Sequence, residues 1–153
     1  MARVKAENPI VQSLLDRLTD YEDRPQTRNQ SLIMYRDGIK RDVEWLLNSR
    51  RPHLGYVDSY KLAADSVFNY GLPDLSRFHG VAANPENLLV SILAVVRTFE
   101  PRIKDPRVAF SRSDLLARSL RFHVDGRLIF ENAEEDISFD TVLEVVSGQY
   151  DVK

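Results

Sequence analysis

The strongest constraint on this chain is a change of hydrophobic period at Pro101. Ahead of it, Leu88, Leu89, Ile92, Leu93, Val96 and Phe99 recur every three or four residues, the spacing of an amphipathic helix. Beyond it, Leu120, Phe122, Leu128 and Phe130 alternate with Arg121, His123, Arg127 and Glu131, the spacing of a strand with one face buried. A chain that is helical first and stranded afterwards does not build alternating βαβ units. The expected class is α+β, with N-terminal helices packed on a small mixed or antiparallel C-terminal β-sheet. At 153 residues one core is affordable and a second is not. The expectation is therefore a single domain over 1–153, mainly helical over 1–99 and mainly stranded over 103–150.

Punctuation refines the helices. Asn8 followed by Pro9 predicts a helix start, with Ile10, Val11, Leu14, Leu15 and Leu18 as its apolar face and an end near Asp20. Tyr21 to Asn29 is polar, contains Pro25 and reads as a loop. Ser31 is expected to open a longer helix carrying Leu32, Tyr35, Ile39, Val43, Leu46 and Leu47, ended by the segment Asn48 to Pro52. Between His53 and Gly80 the glycines and Pro73 leave room for one short helix, Tyr60 to Asn69. Asn84 and Pro85 repeat the Asn-Pro start, and Pro101 ends the following helix at Phe99, because the residue before a proline avoids helical angles.

Four strands are expected. The alternating residues around Val124, Asp125 and Gly126 suggest a hairpin whose three-residue loop pairs His123 with Arg127 and Phe122 with Leu128. Phe139 to Val146 reads as a further strand and Val108 to Phe110 as a shorter one, with Ser113 to Arg118 ambiguous.

Chemistry is sparse. The chain has no cysteine, which excludes a disulfide framework, a thiol nucleophile and a thiolate metal site. His53, His79 and His123 are too scattered for a zinc motif, so no metal is expected. Neither a Walker loop nor a dinucleotide glycine triplet occurs, and no serine sits in a nucleophile elbow, so no cofactor and no catalytic residue are expected. A formal charge of -2 argues against a nucleic-acid partner. No apolar run is long enough for membrane insertion, and the first residues meet Glu7 before any apolar stretch, so no export segment is expected.

Near-neutrality hides an asymmetry. Arg97 to Arg127 holds eight basic residues against four acids, whereas Glu131 onward is acidic apart from Lys153. Two readings stand: solvated faces of opposite sign, or a polarised surface that meets several partners.

At the helix-to-sheet junction lies Glu100-Pro101-Arg102. Glu100 falls at the negative end of the preceding helix, where a carboxylate needs a compensating cation. Arg102, two residues on along an extended segment, points to the same side and offers a fork suited to bidentate pairing, while Pro101 fixes the backbone between them. This is either an internal ion pair pinning helix to strand or a rigid charged corner presented to another protein.

The Glu100-Pro101-Arg102 triplet after an apolar helix, the upstream run Ser31 to Arg50 with its Leu46-Leu47-Asn48-Ser49-Arg50 segment, and the closing hairpin together resemble the TssE baseplate subunits of bacterial type VI secretion systems, a family related to the wedge protein of contractile phage tails. The likeness runs over almost the whole chain. It implies a non-enzymatic part of a cytoplasmic baseplate at the inner membrane, with the other wedge subunits and the contractile sheath as partners. It gives Glu100, Pro101 and Arg102 the role of binding the wedge core, and it suggests that an edge strand, with Phe139 to Val146 as candidate, exchanges strands with the first sheath ring. Two other functions attach to such folds. A lysozyme-like glycosidase needs a carboxylic acid that keeps its proton, which a Glu100 paired with Arg102 does not supply. A small regulatory binding protein resembling the anti-adaptors remains open, since fold does not separate partners.

Overall fold

The computed structural model describes residues 8–19, 25–52, 59–74, 85–114, 119–130, 133–144 and 147–153. In chain order these form α1 (Leu14–Thr19), α2 (Arg28–Asn48), α3 (Lys61–Ala64), a 3-10 turn (Val67–Asn69), α4 (Glu86–Phe99) and four strands: β1 (Ile103–Asp114), β2 (Ser119–Phe130), β3 (Ala133–Glu144) and β4 (Gln149–Val152). Helices precede an antiparallel sheet of order β1-β2-β3-β4, the α+β arrangement that the period switch predicts. The chain divides into two compact units, Met1–Arg41 and Asp42–Lys153, with the boundary inside α2.

In the first unit the predicted helix start is displaced. Residues 8–13 are irregular, and the cap is Ser13, not Asn8: its hydroxyl accepts from the Asp16 N–H (3.2 Å) and its carbonyl accepts from the Arg17 N–H (3.1 Å). Ile10 is tied down instead of helical, its N–H donating to Ser31 Oγ at 2.8 Å, with Gln12 Nε2 donating to the Ser31 carbonyl at 2.8 Å. The polar side of α1 faces α2, where Arg41 grips Asp16 at 2.6 Å and Gly38 gives Asp16 room. Leu14 and Leu18 are consequently about 70% exposed, not part of a core. Helix α2 begins three residues before Ser31, because Thr27 and Gln30 form a reciprocal capping box: Gln30 N–H donates to Thr27 Oγ1 (3.2 Å), and Thr27 N–H donates to Gln30 Oε1 (3.3 Å).

In the second unit the helix expected over Tyr60 to Asn69 breaks in two. Ser66 adopts an extended conformation, accepts from the Phe68 N–H and donates to the Ala63 carbonyl, satisfying backbone groups that a continuous helix would have used. Helix α4 spans Glu86–Phe99 with Leu88, Ile92, Val95 and Val96 buried, and it packs on β1. Pro85 is its N-cap; Asn84 lies outside the described residues.

The predicted hairpin at Val124-Asp125-Gly126 does not form. β2 runs through it as one strand of 12 residues, paired with β1 on one side and β3 on the other. The alternation that suggested two strands is continuous: Leu120, Phe122, Val124, Leu128 and Phe130 are all buried on one face, and Gly126 holds the remaining place in that row. A Cβ at Gly126 would collide with Ile103 Cγ2, so this glycine serves a close strand approach, not a turn. Opposite it, β1 carries an extra residue at Asp105–Pro106, where Asp105 has φ +49°. β1 is longer than the expected Val108 to Phe110, β3 begins six residues before Phe139, and β4 is a strand that the sequence reading does not contain. Strand β3 is covered by β4 over Thr141–Glu144, so the lateral edges are β1 on one side and, on the other, β4 together with the Ala133–Phe139 stretch of β3.

Part of the charge asymmetry is met inside the sheet. The outward side chains of basic β2 lie beside those of acidic β3, with Arg127 paired to Glu134 (2.7 Å) and to Asp105, Lys104 to Glu134 (3.3 Å), and His123 to Asp140. The hydrogen bond from Arg127 holds the Asp105 carboxyl below its ordinary range.

Candidate functional site

The junction between α4 and β1 is built by chain termination. Helix α4 ends because Glu100 leaves helical angles (φ -122°, ψ 70°) ahead of Pro101, yet its N–H still donates to the Val96 carbonyl at 2.9 Å. The Glu100 carbonyl accepts from Ile103 N–H (3.1 Å) and the Arg102 carbonyl accepts from Ile129 N–H (3.1 Å), so both ends of the triplet are anchored to regular structure.

Within this corner the Arg102 guanidinium forks onto Glu100, with Nε to Oε1 at 2.6 Å and Nη2 to Oε2 at 2.5 Å, and Nη2 also reaches Asp42 Oδ2 at 2.7 Å. The Glu100 side chain is only 5% exposed, against 25% for Arg102 and 23% for Asp42. An isolated carboxylate at that depth would be strongly unfavourable, and the bidentate cation makes it tolerable. Burial pulls the Arg102 pKa down, but the hydrogen bonds and fields of Glu100 and Asp42 outweigh it and raise it above the ordinary value. Pro101 is exposed at the apex. Tyr70 completes the neighbourhood: its ring meets Phe99 edge-on at 5.3 Å, and burial, followed by the charges of Asp42 and Glu100, raises its pKa.

The three predicted residues thus come together, but not as equals. Both Glu100 oxygens are engaged internally, so the surface of the triplet consists of Pro101 and the outer part of Arg102. Sequence reasoning missed Asp42. Its signal was an acid at Ile39+3 and Leu46-4, flanking the apolar face of α2, where a carboxylate needs a partner.

A second constellation was visible only as a motif. Asn48, in the last turn of α2, donates through Nδ2 to the Tyr150 carbonyl and accepts through Oδ1 from the Tyr150 N–H, both at 2.9 Å. Arg50 donates to the Gly148 and Leu47 carbonyls and lies 5.8 Å from the Tyr150 ring centroid. The Leu46-Leu47-Asn48-Ser49-Arg50 segment is a clamp on β4.

Among the described residues no group of three or more His, Asp or Glu side chains is placed to hold a metal, and no helix is long and apolar enough to cross a membrane. An open cleft of about 670 Å³ lies at the β1 bulge, lined by Arg97, Arg107 and Arg127 together with Asp105, Asp125 and Asp136.

No curated protein and no solved structure matches the chain. A protein-family model, that of baseplate wedge protein gp25, matches residues 34–133, which take in most of α2, the Glu100–Arg102 corner, β1 and β2. The chain belongs to this gp25 family of phage-tail-like structural baseplate wedge proteins, the family that includes the TssE subunits.

Proposed function

We propose that this chain is the TssE-type wedge subunit of a type VI secretion baseplate, working as one structural piece over 1–153 in the cytoplasm at the inner membrane, with no enzymatic activity of its own. The observation that carries the reading is the α4–β1 corner. A forked ion pair holds Glu100 and Arg102 rigid beneath an exposed Pro101, so a partner meets a fixed shape and loses little entropy on docking. The wedge core is the partner proposed for this corner, contacted by Pro101 and the outer part of Arg102, with Glu100 acting from beneath as their support. The contractile sheath is the second partner. β1 replaces Phe139 to Val146 as the candidate for strand exchange, since β4 covers the Thr141–Glu144 stretch of that candidate. A glycosidase role finds no support at Glu100, whose two oxygens are occupied by one guanidinium.

The test is co-purification from the native cell. Pro101→Gln and Arg102→Lys are expected to keep the fold, as judged by circular dichroism, and to lose the wedge subunits, because the first alters the apex and the second removes the fork. Wild-type recovery of wedge subunits with both variants would overturn the role given to the corner.

A further inference from the structure

The two lateral edges of the sheet are finished differently. In the β3–β4 ladder Asp140 and Lys153 exchange both backbone hydrogen bonds, at 3.2 and 2.7 Å. Alternation along an antiparallel pair then turns the backbone N–H and C=O of Tyr150 away from β3, toward the place a fifth strand would take. Those two groups are already bonded, to the two ends of the Asn48 carboxamide. One planar amide with a donor and an acceptor makes the pair of bonds that a residue of an added antiparallel strand would make with Tyr150. Asn48 is held there by the buried Leu46 and Leu47 beside it at the end of α2. Arg50 occupies the neighbouring acceptor, the Gly148 carbonyl. Along β1, by contrast, no described side chain bonds to the backbone between Lys104 and Ser111.

We propose that Asn48 is an edge plug, which keeps a second copy of this chain from adding its own β4 to this one. An identical strand is always available to an exposed edge, and antiparallel addition about a two-fold axis repeats the same bonds on both copies. Asn48 fills those bonding positions from within the molecule, as no described side chain does along β1. The inference does not rest on the identity of any baseplate partner.

The experiment compares the purified full chain with Asn48→Ala and Asn48→Asp by sedimentation and amide exchange from micromolar to millimolar concentration. The alanine variant is expected to self-associate about tenfold or more tightly than wild type, two edge hydrogen bonds having become available to a copy. Its Tyr150 amide should exchange fast when dilute and slowly when concentrated, whereas in wild type it is slow throughout. Asn48→Asp keeps the acceptor and loses the donor, so it should fall between the two; it also decides the matter if the alanine variant does not fold. Folded variants that stay monomeric, with a Tyr150 amide that is fast at every concentration, would overturn the proposal and reduce Asn48 to an anchor for β4. Wild type associating as tightly as the variants would overturn it as well.

Discussion

Arg102 holds Glu100 by both carboxylate oxygens, at 2.6 and 2.5 Å, across a single intervening proline. The pair joins the end of α4 to the start of β1 and leaves almost none of the Glu100 side chain in water.

Removing one partner of such a pair costs more than removing both. Arg102→Ala is expected to lower stability by about 3 kcal/mol, the low end for a buried pair because Arg102 keeps a quarter of its surface exposed. Glu100→Gln combined with Arg102→Met should recover a good part of that loss, while Asp42→Asn alone stays within about 1 kcal/mol. Urea unfolding of the three variants checks the order; a double variant less stable than Arg102→Ala would contradict it.

Two glycines make opposite demands. Gly71 has φ +98°, and a Cβ there would lie 2.5 Å from the Ser49 carbonyl oxygen, which also accepts from Leu72 N–H at 2.9 Å. Gly71→Ala should therefore cost about 2 kcal/mol or more, with no single side-chain change relieving it. Gly126→Ala meets a side chain, Ile103 Cγ2, so its cost of about 1 to 3 kcal/mol should be partly relieved in the Ile103→Ala background. Thermal melts of the single and double variants distinguish the two cases.

Tyr150 is 2% exposed and its hydroxyl has no hydrogen-bond partner among the described residues. Burial pushes its pKa up, against a smaller opposing effect of Arg50. A raised value means that the folded state holds the proton more tightly than the unfolded one. Stability is then fully present below about pH 10, the unfolded value, and falls as pH rises beyond it. Tyr150→Phe should keep or raise stability at pH 7, by up to about 1 kcal/mol, and flatten the alkaline loss. Unfolding curves at pH 7 and pH 11 measure both effects.

If β1 is the edge that takes a sheath strand, a charge placed on it should block the exchange without harming the fold. Phe110 is 40% exposed on β1. Phe110→Lys is expected to reduce recruitment of sheath protein to the baseplate in cells while shifting the melting temperature by only a few degrees. Unchanged recruitment would remove β1 from consideration.

The sequence alone determined the class of the fold and the composition of the corner. Both depend on neighbours along the chain: the change of period at Pro101, the end of α4 forced by that proline, and the two-residue spacing of Glu100 and Arg102. The outcome at Gly126 was decided elsewhere. Asp125-Gly126 has the chemistry of a turn, and only the presence of β1 and β3 on either side makes it the middle of a strand. The same holds for α1, where Leu14 and Leu18 read as a core face until Asp16 and Arg41 turn the polar side inward. Asp42 joins Arg102 from 60 residues away, and Asn48 meets Tyr150 from 102. No spacing rule reaches so far, because long-range partners are chosen by the packing of whole elements. The basic middle and the acidic end of the chain belong to the same lesson. They look like surfaces awaiting partners in one dimension, and in three dimensions β2 and β3 lie side by side with Arg127 bridged to Glu134 across them.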